Sequence, residues 1–147
     1  MKYCCVLAIL LFSCGEKNNN TSTAGRPVSN DTVPIVRRSV SKKPVASYWV
    51  VMNEILDRKF GVDVYETPNT FKYFLSMQYD GMVQTDTLEV PNFGMWPEIR
   101  TKPGEQKLSC IIGFMDTKKE FREYKLLSAK NNKLVLSTLK YYAEGRY

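Results

Sequence analysis

Between residues 71 and 79 every second position is large and apolar: Phe71, Tyr73, Leu75, Met77 and Tyr79 alternate with Lys72, Phe74, Ser76 and Gln78, and the run ends in Asp80-Gly81. A period of two belongs to a half-buried strand, whose successive side chains point to opposite faces of a sheet. Asp-Gly is the strongest short hairpin signal, because both central positions of a type I′ turn need positive φ. Met82 to Val90 is therefore expected to return antiparallel to the first strand.

The same reading places short strands at Val62 to Glu66, Leu108 to Met115, Phe121 to Ser128 and Lys133 to Tyr142, with turns at Thr67-Pro68-Asn69, Thr117-Lys118-Lys119 and Asn131-Asn132. Strands joined by such short turns are antiparallel, since a parallel neighbour needs a long crossover. The expected fold is mainly β, an antiparallel β-sandwich or meander of five to six strands. Ser47 to Phe60 reads as one N-terminal helix, which makes α+β the alternative class. Ser47 is a cap, Trp49, Met52, Leu56 and Phe60 recur at helical spacing, Glu54 and Arg58 stand four apart, and Gly61 ends the run. Val50 and Val51 are β-branched and favour a first strand instead, so both readings of residues 48–60 stay open.

Pro91 to Gly104 is the one long irregular stretch, and it carries Phe93, Met95, Trp96, Ile99 and Arg100. Loops of this length are functional or disordered, and disorder does not suit so many large apolar residues. At least one of Phe93 and Trp96 is expected to fold back as a plug for the open end of the sandwich. The outer side of the loop, with Phe93, Met95, Trp96 and Arg100, is the candidate partner surface, because Trp and Arg dominate interface hot spots.

Residues 48–147 suffice for a single small domain with one core. Ahead of it, residues 14–47 are rich in Asn, Ser, Thr, Pro and basic residues and have no aromatic side chain. They bury too little to offset the entropy of ordering, so a disordered basic tether is expected, with a root-mean-square reach of roughly 30 Å. Residues 1–13 hold Lys2, an apolar run from Cys4 to Phe12, and Ser13 before Cys14. With Leu11-Phe12-Ser13-Cys14 as the motif, this segment resembles a bacterial lipoprotein signal peptide, far shorter than the ~20 residues of a membrane span. The resemblance implies cleavage before Cys14 and lipidation of its thiol by a diacylglyceryl group, commonly with a further acyl chain such as palmitate. Two or more chains anchor a protein stably to a membrane. Gly15 rather than Asp follows Cys14, which by the same resemblance implies an outer-membrane anchor with the domain facing the periplasm.

If Cys4 and Cys5 leave with the signal peptide and Cys14 carries lipid, Cys110 is the one thiol of the mature chain. Its alternation with Leu108, Ile112 and Phe114 predicts a buried, inert side chain. The chain contains no histidine. That excludes imidazole-dependent triads and His-containing zinc sites, and no carboxylate pair is signalled by spacing, so no enzyme, cofactor or metal site is expected. Ser39-Val40-Ser41-Lys42 has the S-x-x-K spacing of penicillin-binding proteins but lies in the tether, with no K-T-G following, and is read as chance.

The basic balance is concentrated in the tether, which has six Lys and Arg against two acidic residues, while residues 48–147 have fourteen against thirteen. A nearly neutral domain is no nucleic-acid binder. Asp31-Thr32-Val33 and Asp86-Thr87-Leu88 are similar to the acceptor tripeptide of a periplasmic O-glycosylation system, which implies Thr32 and Thr87 as modification sites. In size, lipobox and expected sandwich, the chain is similar to small outer-membrane lipoproteins that anchor secretion-system complexes, including those of type VI systems. The role implied is a structural or adaptor subunit of a cell-envelope assembly, with envelope proteins as partners. The alternative is a ligand-binding lipoprotein for a glycan, lipid or peptide, whose mark would be a pocket built from Tyr73, Trp96 and Tyr141.

Overall fold

The computed structural model describes residues 33–142. They form two four-stranded antiparallel sheets, each a simple meander: β1 (Ala46–Asn53), β2 (Arg58–Glu66), β3 (Lys72–Tyr79) and β4 (Met82–Glu89), then β5 (Glu98–Pro103), β6 (Ser109–Met115), β7 (Phe121–Lys130) and β8 (Lys133–Thr138). The mainly β class and antiparallel pairing agree with the sequence reading. The number of strands is eight rather than five to six, and the described residues contain no helix.

The expected helix over 47–60 is instead a hairpin. Ala46 to Asn53 pairs with Arg58 to Val64, and the turn between them puts Asp57 at φ 47°, a conformation no helix interior accepts. Val50, Val51 and the aromatic pair Tyr48 and Trp49 supply strand propensity, and alternation sends Tyr48 inward, edge-on to Phe60 at 6.4 Å. The apparent helical stripe therefore splits across the two faces of a sheet. On the outer face Trp49 lies opposite Gly61, where an added Cβ would come within 2.6 Å of the indole and 2.2 Å of the Tyr48 carbonyl oxygen. Trp49 Nε1 donates to Asp63 Oδ1 at 2.9 Å, which also accepts from Ser47 Oγ at 2.6 Å.

The other extra strand, β5, lies inside the stretch read as irregular. Its Ile99 points into the core and Pro103 closes it at the sheet edge, where a residue without an N–H is tolerated. Asp80-Gly81 has φ of 49° and 82°, and Asn131-Asn132 has 50° and 56°, so both form the two-residue turns expected of a right-twisted hairpin.

Phe60, Val62 and Val64 of β2, Tyr73, Leu75 and Met77 of β3, and Leu88 face Ile99, Cys110, Ile112, Phe114 and Leu127 from the second sheet to form one buried core. The sandwich is closed along one side, where Thr101 Oγ1 of β5 donates to the Ser47 carbonyl of β1 at 2.9 Å. On the other side β8 lies against β3, and Tyr79 Oη reaches Asn132 Oδ1 at 3.5 Å. Strand β4 thus projects beyond the second sheet, and Met82 to Thr87 are all exposed.

Part of the expected tether is folded. Val33 is buried, Thr70 N donates to the Ile35 carbonyl at 2.7 Å, Thr70 Oγ1 donates to the Pro34 carbonyl, and Arg37 N donates to the Pro68 carbonyl at 2.8 Å. The β2–β3 turn supplies these partners, so residues 33–37 are strapped across it and the boundary near residue 47 moves toward the N-terminus. The expected signal segment, residues 1–13, and residues 14–32 of the expected tether lie outside the described residues.

Candidate functional site

The strap matters because it delivers Arg37 to the end of the sandwich where β2 finishes and β3 begins. The side chain is 7% exposed; Nη1 pairs with Glu66 Oε1 at 3.0 Å, and Nη2 donates to the Thr70 carbonyl at 2.8 Å and to Tyr73 Oη at 2.7 Å. The guanidinium carbon stands 5.1 Å from the Tyr73 ring centroid and 5.8 Å from that of Trp96, within cation–π range. Glu66 Oε2 accepts the Ser41 N–H at 2.9 Å, and Tyr73 Oη donates to the Pro97 carbonyl at 3.2 Å. Burial raises the Tyr73 phenol pKa against the lowering influence of Arg37, so the hydroxyl keeps the proton it donates to Pro97. One network thus joins the strap, two strands and the loop that carries Trp96.

The loop divides its aromatic residues as the plug expectation requires. Phe93 packs inward, 5.4 Å from Phe114, while Trp96 remains 51% exposed. Beside Trp96 is an open cleft of about 530 Å³, lined by Glu66, Tyr73, Met95, Trp96, Arg100 and Lys119 among others. Of the partner residues expected from sequence, Met95, Trp96 and Arg100 meet here and Phe93 does not. Tyr73 and Trp96 share the cleft, but Tyr141 is absent from its lining and is 88% exposed. The pocket imagined from those three aromatic residues is therefore not assembled.

At the lip of the cleft Glu98 accepts from Arg100 Nε at 2.9 Å and lies 3.4 Å from Lys119 Nζ. The Arg100 bond first, and Lys119 second, hold the Glu98 carboxyl below its ordinary pKa. An ionised, paired carboxylate is suited to holding charge in place and not to donating a proton. Among the described residues no group of three His, Cys, Asp or Glu side chains is placed to hold a metal ion.

A second apolar display escaped the sequence reading. At the β1–β2 turn Ile55 is 94% exposed and Leu56 60% exposed. The β3–β4 turn is at the same end of the sheet, since Phe60 pairs with Tyr79 and Arg58 Nε meets Asp80 Oδ1 at 2.9 Å. Assigning Leu56 to the buried stripe of a helix hid this tip; the available signal was the pair of turn formers, Asn53 and Asp57, on either side of it. Thr87 is exposed on β4, more accessible than a strand position suggests. Cys14 and Thr32 lie outside the described residues.

Comparison with protein-family models, with curated proteins and with solved structures finds no match to this chain.

Proposed function

We propose that the protein is a lipid-anchored, non-catalytic adaptor of the bacterial cell envelope, held at the outer membrane through Cys14 with its sandwich in the periplasm, where it docks a protein of an envelope assembly such as a secretion complex. The observation that carries this reading is the half-exposed Trp96, seated beside the buried Arg37–Glu66–Tyr73 network on a loop pinned through Pro97. A large aromatic side chain presented on a rigid support binds with little loss of conformational entropy. The lipobox resemblance supports the anchor.

Crosslinking in the native cells, followed by identification of co-purifying proteins, tests the adaptor role with Trp96→Ala and Cys14→Ala beside the wild type. Defined envelope proteins lost with Trp96→Ala support it. Absence of specific partners from membranes that contain the protein would sink it.

The cleft beside Trp96 favours one second reading, a ligand-binding lipoprotein that takes a glycan, lipid or peptide against Tyr73 and Trp96. Saturable quenching of tryptophan emission by cell-wall glycan fragments, lost in Trp96→Phe, would select it.

A further inference from the structure

Strand β4 is the outer strand of its sheet and pairs only with β3 among the described strands. Val90 N donates to the Phe71 carbonyl at 2.8 Å. Continued through the register Lys72↔Glu89 to Tyr79↔Met82, this bond assigns the even-numbered residues from Met82 to Leu88 to the ladder with β3. Val83, Thr85, Thr87 and Glu89 consequently turn their N–H and C=O groups outward. Thr87 agrees, since its N–H is taken by the carboxylate of its own neighbour, Asp86 Oδ1, at 2.6 Å.

Edges that stay single are protected by charged side chains, Lys above all, by Pro, a bulge, an inward-pointing charge or extreme shortness; of these β4 has only the acidic Asp86, in phase with the buried Leu88, and Glu89. Strand β4 has eight residues, Met-Val-Gln-Thr-Asp-Thr-Leu-Glu, with no Lys or Pro, and it meets β3 without a register shift. Seven of its eight residues are exposed to solvent, and no second strand among those described pairs with its outer edge.

We infer that β4 is covered by β4 of a second copy of this chain, running antiparallel about Thr85 and joining two four-stranded sheets into one. Only registers that oppose odd-numbered residues make bonds. Centring the pair on Asp86 would set two carboxylates face to face at the closest cross-strand spacing, ~4.5 Å between Cα atoms. Centring it on Gln84 would set Asp86 against Met82. Centring it on Thr85 opposes Thr85 to itself, Val83 to the partner's Thr87, Met82 to the partner's Leu88 and Gln84 to the partner's Asp86. Threonine and β-branched pairs then line one face, an amide meets each carboxylate on the other, and no like charges are opposed. Asp86 exchanges the Thr87 N–H for the partner's Gln84 amide, while Thr87 N–H donates to the partner's Val83 carbonyl. This inference does not depend on the adaptor reading.

The test uses the full chain in the cells that produce it, oxidised with copper phenanthroline whatever fraction the chain occupies. Thr85→Cys places two thiols across a hydrogen-bonded pair, ~5.5 Å between Cα atoms, inside the range of a disulfide. Val83→Cys leaves its two copies four positions apart, ~14 Å. The expected result is a reducible homodimer at least tenfold more abundant for Thr85→Cys than for the parent or Val83→Cys, and restored in the Val83→Cys/Thr87→Cys pair. No homodimer from Thr85→Cys, equal yields from Thr85→Cys and Val83→Cys, or capture of a different protein by Thr85→Cys would each overturn it. Thr85→Pro supplies an independent arm, because it removes an N–H that the ladder with β3 does not use. By light scattering of the detergent-purified full chain, the wild type is expected to be a dimer and Thr85→Pro a monomer with an unchanged far-ultraviolet spectrum; a monomeric wild type or a dimeric folded proline variant contradicts the proposal.

Discussion

Arg37 and Tyr73 are bound to each other in two ways: Nη2 donates to the phenol oxygen at 2.7 Å, and the guanidinium carbon stands 5.1 Å from the ring centroid. The same guanidinium neutralises Glu66 in a half-buried setting. Removing it leaves a carboxylate and a phenol with lost partners, which costs more than an exposed ion pair ever contributes. Arg37→Met is expected to destabilise the domain by about 3 kcal/mol, and Arg37→Lys to recover only part of that, since an ammonium cannot reproduce the forked contacts. Urea unfolding followed by tryptophan emission measures both, and a change below ~1 kcal/mol for Arg37→Met would show the network to be ornamental.

Gly61 is held small by Trp49. An alanine Cβ there would meet both the indole and the Tyr48 carbonyl, so β1 must shift or the indole must lift away from Asp63. Gly61→Ala is expected to cost about 2 kcal/mol as an overpacked position. The backbone contact remains when the ring is removed, so Trp49→Ala is expected to relieve only part of that cost, which a double-mutant cycle of thermal midpoints would resolve.

The Cys110 thiol is fully buried, and that burial pushes its pKa up to about 12. Thiolate is the reactive form. Iodoacetamide at pH 8 is therefore expected to leave Cys110 unmodified in the folded chain and to label it at the rate of global unfolding, as read by peptide mass spectrometry in rising urea. Fast labelling without denaturant would mean that the β6 region opens locally.

Three half-buried carboxylates set the acid response. The backbone N–H of Glu120, and then Arg122 and the N–H of Lys118, hold Asp116 below its ordinary pKa; Arg100 does so for Glu98, and Lys102 for Glu123. A carboxylate depressed on folding stabilises the folded state above its unfolded pKa, and that contribution disappears as pH falls through the folded value. The urea midpoint is expected to be flat above the ordinary carboxylate range, ~4, and to fall below it. Asp116→Asn is expected to show a shallower fall between pH 4.5 and 2.5; an unchanged slope would remove Asp116 from the explanation.

The two exposed apolar displays separate docking from stability. Trp96→Ala and the pair Ile55→Ser/Leu56→Ser each change side chains that the core does not bury, so each is expected to alter unfolding free energy by less than ~1 kcal/mol. On the adaptor reading Trp96→Ala abolishes crosslinking to envelope partners. Retention of those partners by Trp96→Ala and their loss from the Ile55/Leu56 variant would move the docking surface to the opposite end of the sheet.

What could be read from sequence was the part governed by neighbours. The alternation of 71–79 and the glycine of Asp80-Gly81 are local, and φ values of 49° and 82° at that turn agree with them. Trp49, Met52, Leu56 and Phe60 misled because two strands and a turn happened to place apolar residues three or four apart. Strand β5 escaped notice because Ile99 is its one buried side chain and Pro97 and Pro103 frame it. The site depended on contacts over long distances in sequence: Arg37 meets Tyr73 across 36 positions, and nothing near Arg37 distinguishes it from the other basic residues of a polar stretch. Trp96 was legible as an aromatic residue too large to waste in a loop, but its supports were not.

Each sheet is built from one uninterrupted length of chain, with a single crossing between Glu89 and Glu98. Every strand pairs with the one just before or after it, so the sequence separation to be closed at each step is small and the ordering cost is spread over many short loops. A chain threading out of a narrow channel from its N-terminus has all the strands of the first meander once Glu89 has emerged, while half the core is still to come. In that interval Leu75, Met77 and Leu88 have no second sheet to rest on. The interval from Glu89 to Leu127 is thus when this protein is most in need of company, and its safety then depends on how quickly the second meander follows the first.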